Sequence, residues 1–338
     1  MFKSLRYLVG VHAAVARSLG GPDVVRIESI PPPRLEPGTA RVAVHSAAVN
    51  FPDLLVLAGK YQASVPPPYT PGCEFSGRVL EVADGVTRVG VGDVVFGLAT
   101  HGAFAEEVVL DAGRLTALPA GANVDMRKLA AFAVTYTTAY HALRTFADVQ
   151  PGEYVTVLGA AGGVGLAAVD LSIALGAKPI AVGRSVAKLA VAAERGAIGT
   201  IDYTREDLKA RINELSGGGS SVVIDPVGGA YSEPALRAMR WGGRYVVLGF
   251  AAGDIPRIPL NLVLLKGIRV MGFENRTILD HLPGVAAAHR AEVLNMFLDG
   301  AVHPHVGAVY PLSEIVSALS ELAERRAIGK VVVTIAEP

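Results

Sequence analysis

The sequence predicts an α/β protein in two parts, a strand-rich unit and a parallel, doubly wound sheet. Three observations carry this reading. At 338 residues the chain is longer than one ordinary core organises. Its first third alternates short β-branched runs with Gly/Pro punctuation, and from about Leu129 short strands alternate with helices. Hydrophobic residues make up 51% and charged residues 18%, which supports buried cores and argues against disorder.

Taken in order, His12 to Leu19 reads as a strand entering the Gly20-Gly21-Pro22-Asp23 turn. Lys3 and Arg6 ahead of an apolar run ending in Ala14-Val15-Ala16 also have the outline of a secretory signal. A globular region follows without a linker, which favours the strand. Ala40 to Val44, Ser76 to Val82, Asp93 to Phe96 and Ala105 to Val109 are further strands, separated by Glu36-Pro37-Gly38 and Gly90-Val91-Gly92-Asp93. Pro66-Pro67-Pro68 and Pro71-Gly72 bracket an extended crossing that cannot be helical. The alternating series then runs through a strand at Tyr154 to Leu158, a helix at Gly163 to Leu175, a strand at Pro179 to Val182 and a helix at Val186 to Arg195. It continues with a strand at Val222 to Ile224, a helix at Ser232 to Met239, and strands at Arg244 to Leu248 and Arg269 to Phe273. Helices at Ala286 to Leu298 and Leu312 to Arg325 precede a closing strand, Val331 to Ile335, expected to rejoin the N-terminal domain.

Thirty-one basic and 31 acidic residues balance to zero, and no Lys/Arg run suggests a nucleic-acid surface. The single cysteine, Cys73, excludes an intrachain disulfide and a multi-Cys zinc site, and fits a reducing cytoplasm. The longest uncharged stretch, Tyr154 to Val169, is broken by glycines and shorter than the roughly 20 apolar residues that span a bilayer.

Gly159-Ala160-Ala161-Gly162-Gly163-Val164-Gly165 lies between a strand and a helix, where glycines permit a tight turn and let backbone approach a pyrophosphate. The helix N-terminus then offers its N–H groups to the anion. A plain strand-to-helix turn rarely needs so many glycines, so a dinucleotide is expected. Enzymes that use NAD place an acid at the end of the next strand, for the ribose hydroxyls. Here that end reads Val182-Gly183-Arg184-Ser185 with Lys188 one turn on, residues that suit the 2′-phosphate of NADPH.

The chain resembles the zinc-free quinone oxidoreductases, including zeta-crystallin, of the medium-chain dehydrogenase/reductase superfamily. The resemblance spans about His12 to Ile335. Its marks are Ala48-Val49-Asn50-Phe51-Pro52-Asp53, Gly59-Lys60-Tyr61, Pro71-Gly72-Cys73-Glu74-Phe75-Ser76-Gly77, the glycine loop, and Gly329-Lys330-Val331-Val332. It implies a GroES-like β-barrel catalytic domain (residues 1–128 and 275–338) around a Rossmann NADP-binding domain (129–274), with the active site in the cleft between them. It further implies that Thr135, Tyr203, Arg326 and the loop Gly249-Phe250-Ala251 join the cofactor site. A homodimer paired through the strand near Arg269 to Phe273 is expected on the same ground.

Zinc-dependent relatives carry Cys near position 50 and Gly-His-Glu near position 73; this chain has Asn50 and Gly72-Cys73-Glu74. A catalytic zinc needs three N, S or O ligands, and an amide with one thiol does not supply them. His303-Pro304-His305 offers two imidazoles without an evident third ligand and reads as a solvent-facing pair. Without a Lewis acid, quinones and α,β-unsaturated carbonyls are the accessible hydride acceptors, since conjugation spreads the developing charge. By the resemblance, Asn50, Asp53 and Tyr61 line the site. Asn50 and Tyr61 can donate to an oxyanion, whereas Asp53 either orients neighbours or caps a helix. A 2-enoyl thioester reductase and a non-catalytic, crystallin-like NADPH-binding protein are the alternatives.

Overall fold

A computed structural model describes residues 10–335; Lys3 and Arg6 fall outside them. The chain divides into two compact units, Met1–Ala133 with His305–Pro338, and Val134–Pro304. Residues 275–304, expected with the first unit, group with the second. The cause is local bonding: Asn275 Nδ2 donates to Thr137 Oγ1 at 3.1 Å, and Tyr140 donates to Glu292 at 2.5 Å.

The first unit begins with an antiparallel hairpin of β1 (Val11–Ala16) and β2 (Val25–Ile30). Ala13, Ala14 and Ala16 are fully buried, so Val11–Ala16, the end of the run that resembles a signal, is a strand of the fold. A long strand, β3 (Thr39–Val49), pairs on one side with β4 (Glu74–Val82), followed across the sheet by β5 (Val94–Leu98) and β7 (Leu115–Ala117). The N-terminal half of β3 also pairs with β6 (Glu107–Asp111). Strands β3 to β6 had been anticipated, β3 only as far as Val44. Its extension through His45 and Ser46 is polar, and the pairing with β4 shifts register there.

In the second unit all the ladders are parallel. Strands β8 (Tyr154–Leu158), β9 (Lys178–Gly183), β10 (Gly199–Asp202), β11 (Ser220–Asp225), β12 (Met239–Val247) and β13 (Arg269–Gly272) stand in the order β10-β9-β8-β11-β12-β13. Crossovers run outward from β8 to β10, then restart beside β8 at β11. The order therefore reverses between β8 and β11, which is the doubly wound arrangement expected. Ile180, Val182, Val223 and Tyr245 are fully buried in this core. The helix Gly163–Ala174 is buried along Gly165 to Ser172, which explains why its sequence is apolar all round. Among the described residues no helix is long and apolar enough to cross a membrane.

The chain then returns to the first unit through β14 (Val306–Pro311) and β15 (Lys330–Thr334). Strand β15 lies parallel to β14 and antiparallel to β3, so the closing strand does rejoin the N-terminal sheet.

One buried carboxylate fixes the loop that leaves β11. Asp225, 1% exposed, accepts the N–H groups of Val227 and Gly228 at 2.8 Å, the Ser232 hydroxyl at 2.7 Å and the Tyr245 hydroxyl at 2.5 Å. Asp225→Ala strips four donors of their acceptor and should cost roughly 2–5 kcal/mol. A clearly lower denaturation midpoint is expected, and an unchanged one would show that the loop is held otherwise.

Candidate active site

In the second unit the candidate cofactor residues converge because parallel strands all end at one edge of their sheet. The loops that follow β8, β9, β10, β11 and β12 emerge together there, on either side of the strand-order reversal where such sheets bind ligands. Gly159 opens the first loop with φ +63°, a left-handed turn. A Cβ on Gly165 would stand 2.2 Å from the Gly159 carbonyl oxygen and 2.6 Å from Ala160 Cα, so the helix seats against the loop only with glycine there. Gly162 is the N-cap of the helix Gly163–Ala174, with no side-chain cap and no acid in the first turn. The N–H groups of Gly163, Val164 and Gly165 therefore begin the helix with its positive dipole end unopposed.

Gly183 closes β9, and Arg184 follows it, exposed and without an ion pair among the described residues. Ser185 caps the next helix, its oxygen accepting the Lys188 N–H at 3.4 Å, which leaves the hydroxyl proton for a phosphate. Tyr203, after β10, stacks on Tyr231 with ring centroids 3.8 Å apart. The loop after β12 is tied to the loop after β11: Ala251 N–H donates to Pro226 O at 3.2 Å and Ala252 N–H to Val227 O at 2.8 Å. Gly249 and Phe250 are thereby held at the same edge. Thr135 is 3% exposed on the helix Ala133–Tyr140. Arg326 belongs to the first unit, where its guanidinium is bonded to Glu321 at 2.8 Å and paired with Glu324.

In the first unit, Asn50 and Asp53 open the short helix Phe51–Leu57. They meet Glu74 at the start of β4 and Lys330 at the start of β15. Lys330 Nζ donates to Asn50 Oδ1 at 2.6 Å, Glu74 Oε1 at 2.6 Å and Val49 O at 3.0 Å, which uses all three of its protons. Asn50 Nδ2 donates to Glu74 Oε1 at 2.9 Å and Ala48 O at 3.1 Å. The chemistry fixes which way the amide faces, because an ammonium only donates and a carboxylate only accepts. Both amide protons are thus engaged, and the expected donation from Asn50 to a substrate oxyanion has no proton to make it.

Asp53, 4% exposed, accepts the Asn50 backbone N–H at 2.7 Å, the capping bond anticipated as one of its two roles. The Cys73 thiol also bonds to it. Burial pushes the Asp53 pKa from 3.8 up to about 7, against the Asn50 N–H and the Lys330 charge, which pull it down. Burial likewise pushes the Cys73 thiol well above its ordinary value, which leaves it a poor nucleophile. Tyr69, 7% exposed, feels the Asp53 charge, and its hydroxyl has no hydrogen-bond partner among the described residues. Tyr61 is half-buried beyond the helix end. Lys330, Glu74 and Tyr69 were not singled out as site residues. The usable signal was an acid and a base each embedded in apolar strand sequence, Cys73-Glu74-Phe75 and Gly329-Lys330-Val331, since a buried charge requires a partner.

Comparison with known proteins agrees with this division. Residues 36–120 match the alcohol dehydrogenase GroES-like domain and residues 163–285 the zinc-binding dehydrogenase family. Quinone oxidoreductase-like protein 2 of Bos taurus is 40% identical, over 96% of this chain and 92% of its own. The chain belongs to the quinone oxidoreductase-like family of medium-chain dehydrogenases/reductases. Among solved structures of this family, a quinone oxidoreductase of Pseudomonas syringae pv. Tomato DC3000 shares 30% identity, with a TM-score of 0.87 over 96% of this chain and 100% of that one. Escherichia coli quinone oxidoreductase complexed with NADPH shares 26%, with a TM-score of 0.87 over 97% and 100%.

One of the matching families is named for zinc, and the residues here do not fit that ion. Where zinc-dependent family members place ligands, Asn50 presents its oxygen to the Lys330 ammonium and Cys73 is a lone thiol, whereas zinc takes at least three N, S or O ligands and repels a neighbouring cation. No three His, Cys, Asp or Glu side chains gather to hold a metal among the described residues. Of the His303-Pro304-His305 pair, His303 is exposed and His305 half-buried.

The raised Asp53 pKa has a sign that can be checked. Between 3.8 and about 7 the folded chain keeps a proton that the unfolded chain has lost, so Asp53 stabilises at low pH and loses this contribution as pH rises through 7. The stability of the wild type relative to Asp53→Asn should fall by roughly 2–4 kcal/mol from about pH 4 to about pH 8. Denaturation curves that stay parallel across that range would contradict the assignment.

Proposed function

We propose that this protein is an NADPH-dependent reductase of quinones and α,β-unsaturated carbonyls that works without a catalytic metal. The observation that carries the reading is the sheet edge of the second unit, a glycine loop at a bare helix N-terminus beside the exposed Arg184, with no carboxylate ending β9. Gly159, Ala160, Gly162, Gly163, Val164 and Gly165 cradle a pyrophosphate, and Arg184, Ser185 and Lys188 take the 2′-phosphate. Gly183 lets that phosphate approach the backbone, and Tyr203 borders the adenosine. Thr135 and the loop Gly249-Phe250-Ala251 flank the nicotinamide. When bound, NADPH supplies the hydride.

The remaining work falls to the chain. Tyr61 can donate a hydrogen bond to the oxygen on which charge develops. Asp53 holds a proton near neutrality and can release it to that oxygen. Conjugated acceptors suit such a site because their anions spread charge and need less electrophilic help than an isolated alkoxide. The single thiol suits a reducing cytoplasm.

A homodimer is part of the proposal. Strand β13 is a sheet edge, and near it Trp241, Leu264 and Leu265 are 79%, 81% and 70% exposed. Such side chains in one region support association. Leu264→Asp with Leu265→Asp should convert a dimer to monomer in sedimentation, and a wild type already monomeric would remove the dimer.

The reaction is tested by loss of NADPH absorbance with a quinone, an enone and an enoyl-CoA, and by oxidation of ethanol with NADP. Turnover with the quinone or enone and none with ethanol is expected; faster ethanol oxidation, or enoyl-CoA as the only acceptor, would overturn the reading. Arg184→Ala should lower the NADPH/NADH ratio of kcat/KM roughly tenfold to a hundredfold, equivalent to about 1.5–3 kcal/mol. An unchanged ratio would remove Arg184 from cofactor choice.

A further inference from the structure

Asn50 joins two groups that do not bond each other directly. Its side chain belongs to the Lys330–Glu74 pair, and its backbone N–H belongs to the Asp53 carboxylate at 2.7 Å. Glu74 Oε1 accepts from both Asn50 Nδ2 and Lys330 Nζ, and Glu74 and Lys330 are 0% and 5% exposed. Rotation of the Asn50 amide would break bonds to both charges at once, so the pair locks the residue from which the Asp53 carboxylate hangs. The groups that face Asp53 are the Asn50 N–H on its own helix, the Cys73 thiol and Glu74 around the start of β4, Lys330 on β15, and the Tyr69 phenol.

We propose that Lys330 and Glu74 are positioning residues for the reduction: acting through Asn50, the buried pair holds the Asp53 carboxyl in place and keeps it able to return a proton to the reduced acceptor. The proposal rests on the reaction assigned above. In that step the hydride adds to the acceptor carbon and the electron pair of its π system moves to oxygen. The Asp53 O–H bond breaks, the proton bonds to that oxygen, and the carboxylate regains a proton from solvent. The two members of the pair act on Asp53 in opposite senses, Lys330 favouring its ionised form and Glu74 its protonated form. A purely structural pair would shift the carboxyl in the same two senses by proximity alone, so the reading that separates the roles is whether the pH profile of kcat moves with it.

The experiment follows the Asp53 carboxyl carbon by NMR in 13C-aspartate-labelled protein, assigned with Asp53→Asn, alongside the pH dependence of kcat. Glu74→Gln should lower the Asp53 midpoint and Lys330→Met should raise it, each by about one pH unit. The double variant, which leaves no unpaired charge, should fall between them, and Lys330→Arg should stay near the wild type. The alkaline limb of kcat should move with the carboxyl midpoint. If Lys330→Met does not fold, Glu74→Gln and the double variant still carry the comparison. Coincident midpoints, shifts in one common direction, or opposite shifts that leave the kcat profile in place would each overturn the proposal. A wild type without NADPH-dependent turnover, but with the opposite midpoint shifts, would overturn the assigned reaction while the coupling to Asp53 stood.

Discussion

A carboxylate buried in a protein interior must be neutralised, and Glu74 is wholly buried. Its counter-charge comes from Lys330, 256 residues later in the chain. The ion pair ties the start of β15, whose ladders run to β14 and β3, to the start of β4, and the second unit is an insertion between the two halves of the first. Breaking such a pair costs far more than its net contribution, because it leaves one charge stranded. Its strength as a constraint therefore lies in specificity: no apolar strand could replace β15 without orphaning Glu74. Asn50 then inherits its geometry from the pair, and Asp53 from Asn50.

The second unit obeys a different constraint. Parallel strands joined by helical crossovers place every strand end of one polarity at one edge. Residues as distant in sequence as Gly159, Arg184, Tyr203 and Gly249 are brought to that edge by topology alone. Asp225 and the backbone bonds between the loops after β11 and β12 then fix the conformation of those two loops. An anion site made of main-chain N–H groups needs only such rigidity and a bare helix end.

These two constraints explain what the sequence disclosed. The glycine loop and Arg184 were legible because both depend on local pattern: a turn that requires small residues, and the side chain next after a strand. The alternation of β8 to β12 with helices was legible for the same reason, although β10 and β14 were not marked. Two kinds of feature lay out of reach. Residues 275–304 read as part of the first unit because nothing in their own pattern shows that Asn275 and Glu292 bond to Thr137 and Tyr140. The Lys330–Asn50 bond, across 280 residues, was invisible to any local periodicity. Asn50 was accordingly read as a donor to substrate, when both its amide protons are engaged, and the burial that raises the Asp53 pKa left no local mark in the sequence.

The central claim is that NADPH binds along the loop edge of the six-stranded sheet. Hydrogen–deuterium exchange with and without NADPH tests it most directly, since it reads the backbone of each loop without requiring turnover. The account predicts slowed exchange confined chiefly to residues 159–166, 184–189 and 249–252. Uniform exchange with and without NADPH, or protection that spares the glycine loop, would contradict it.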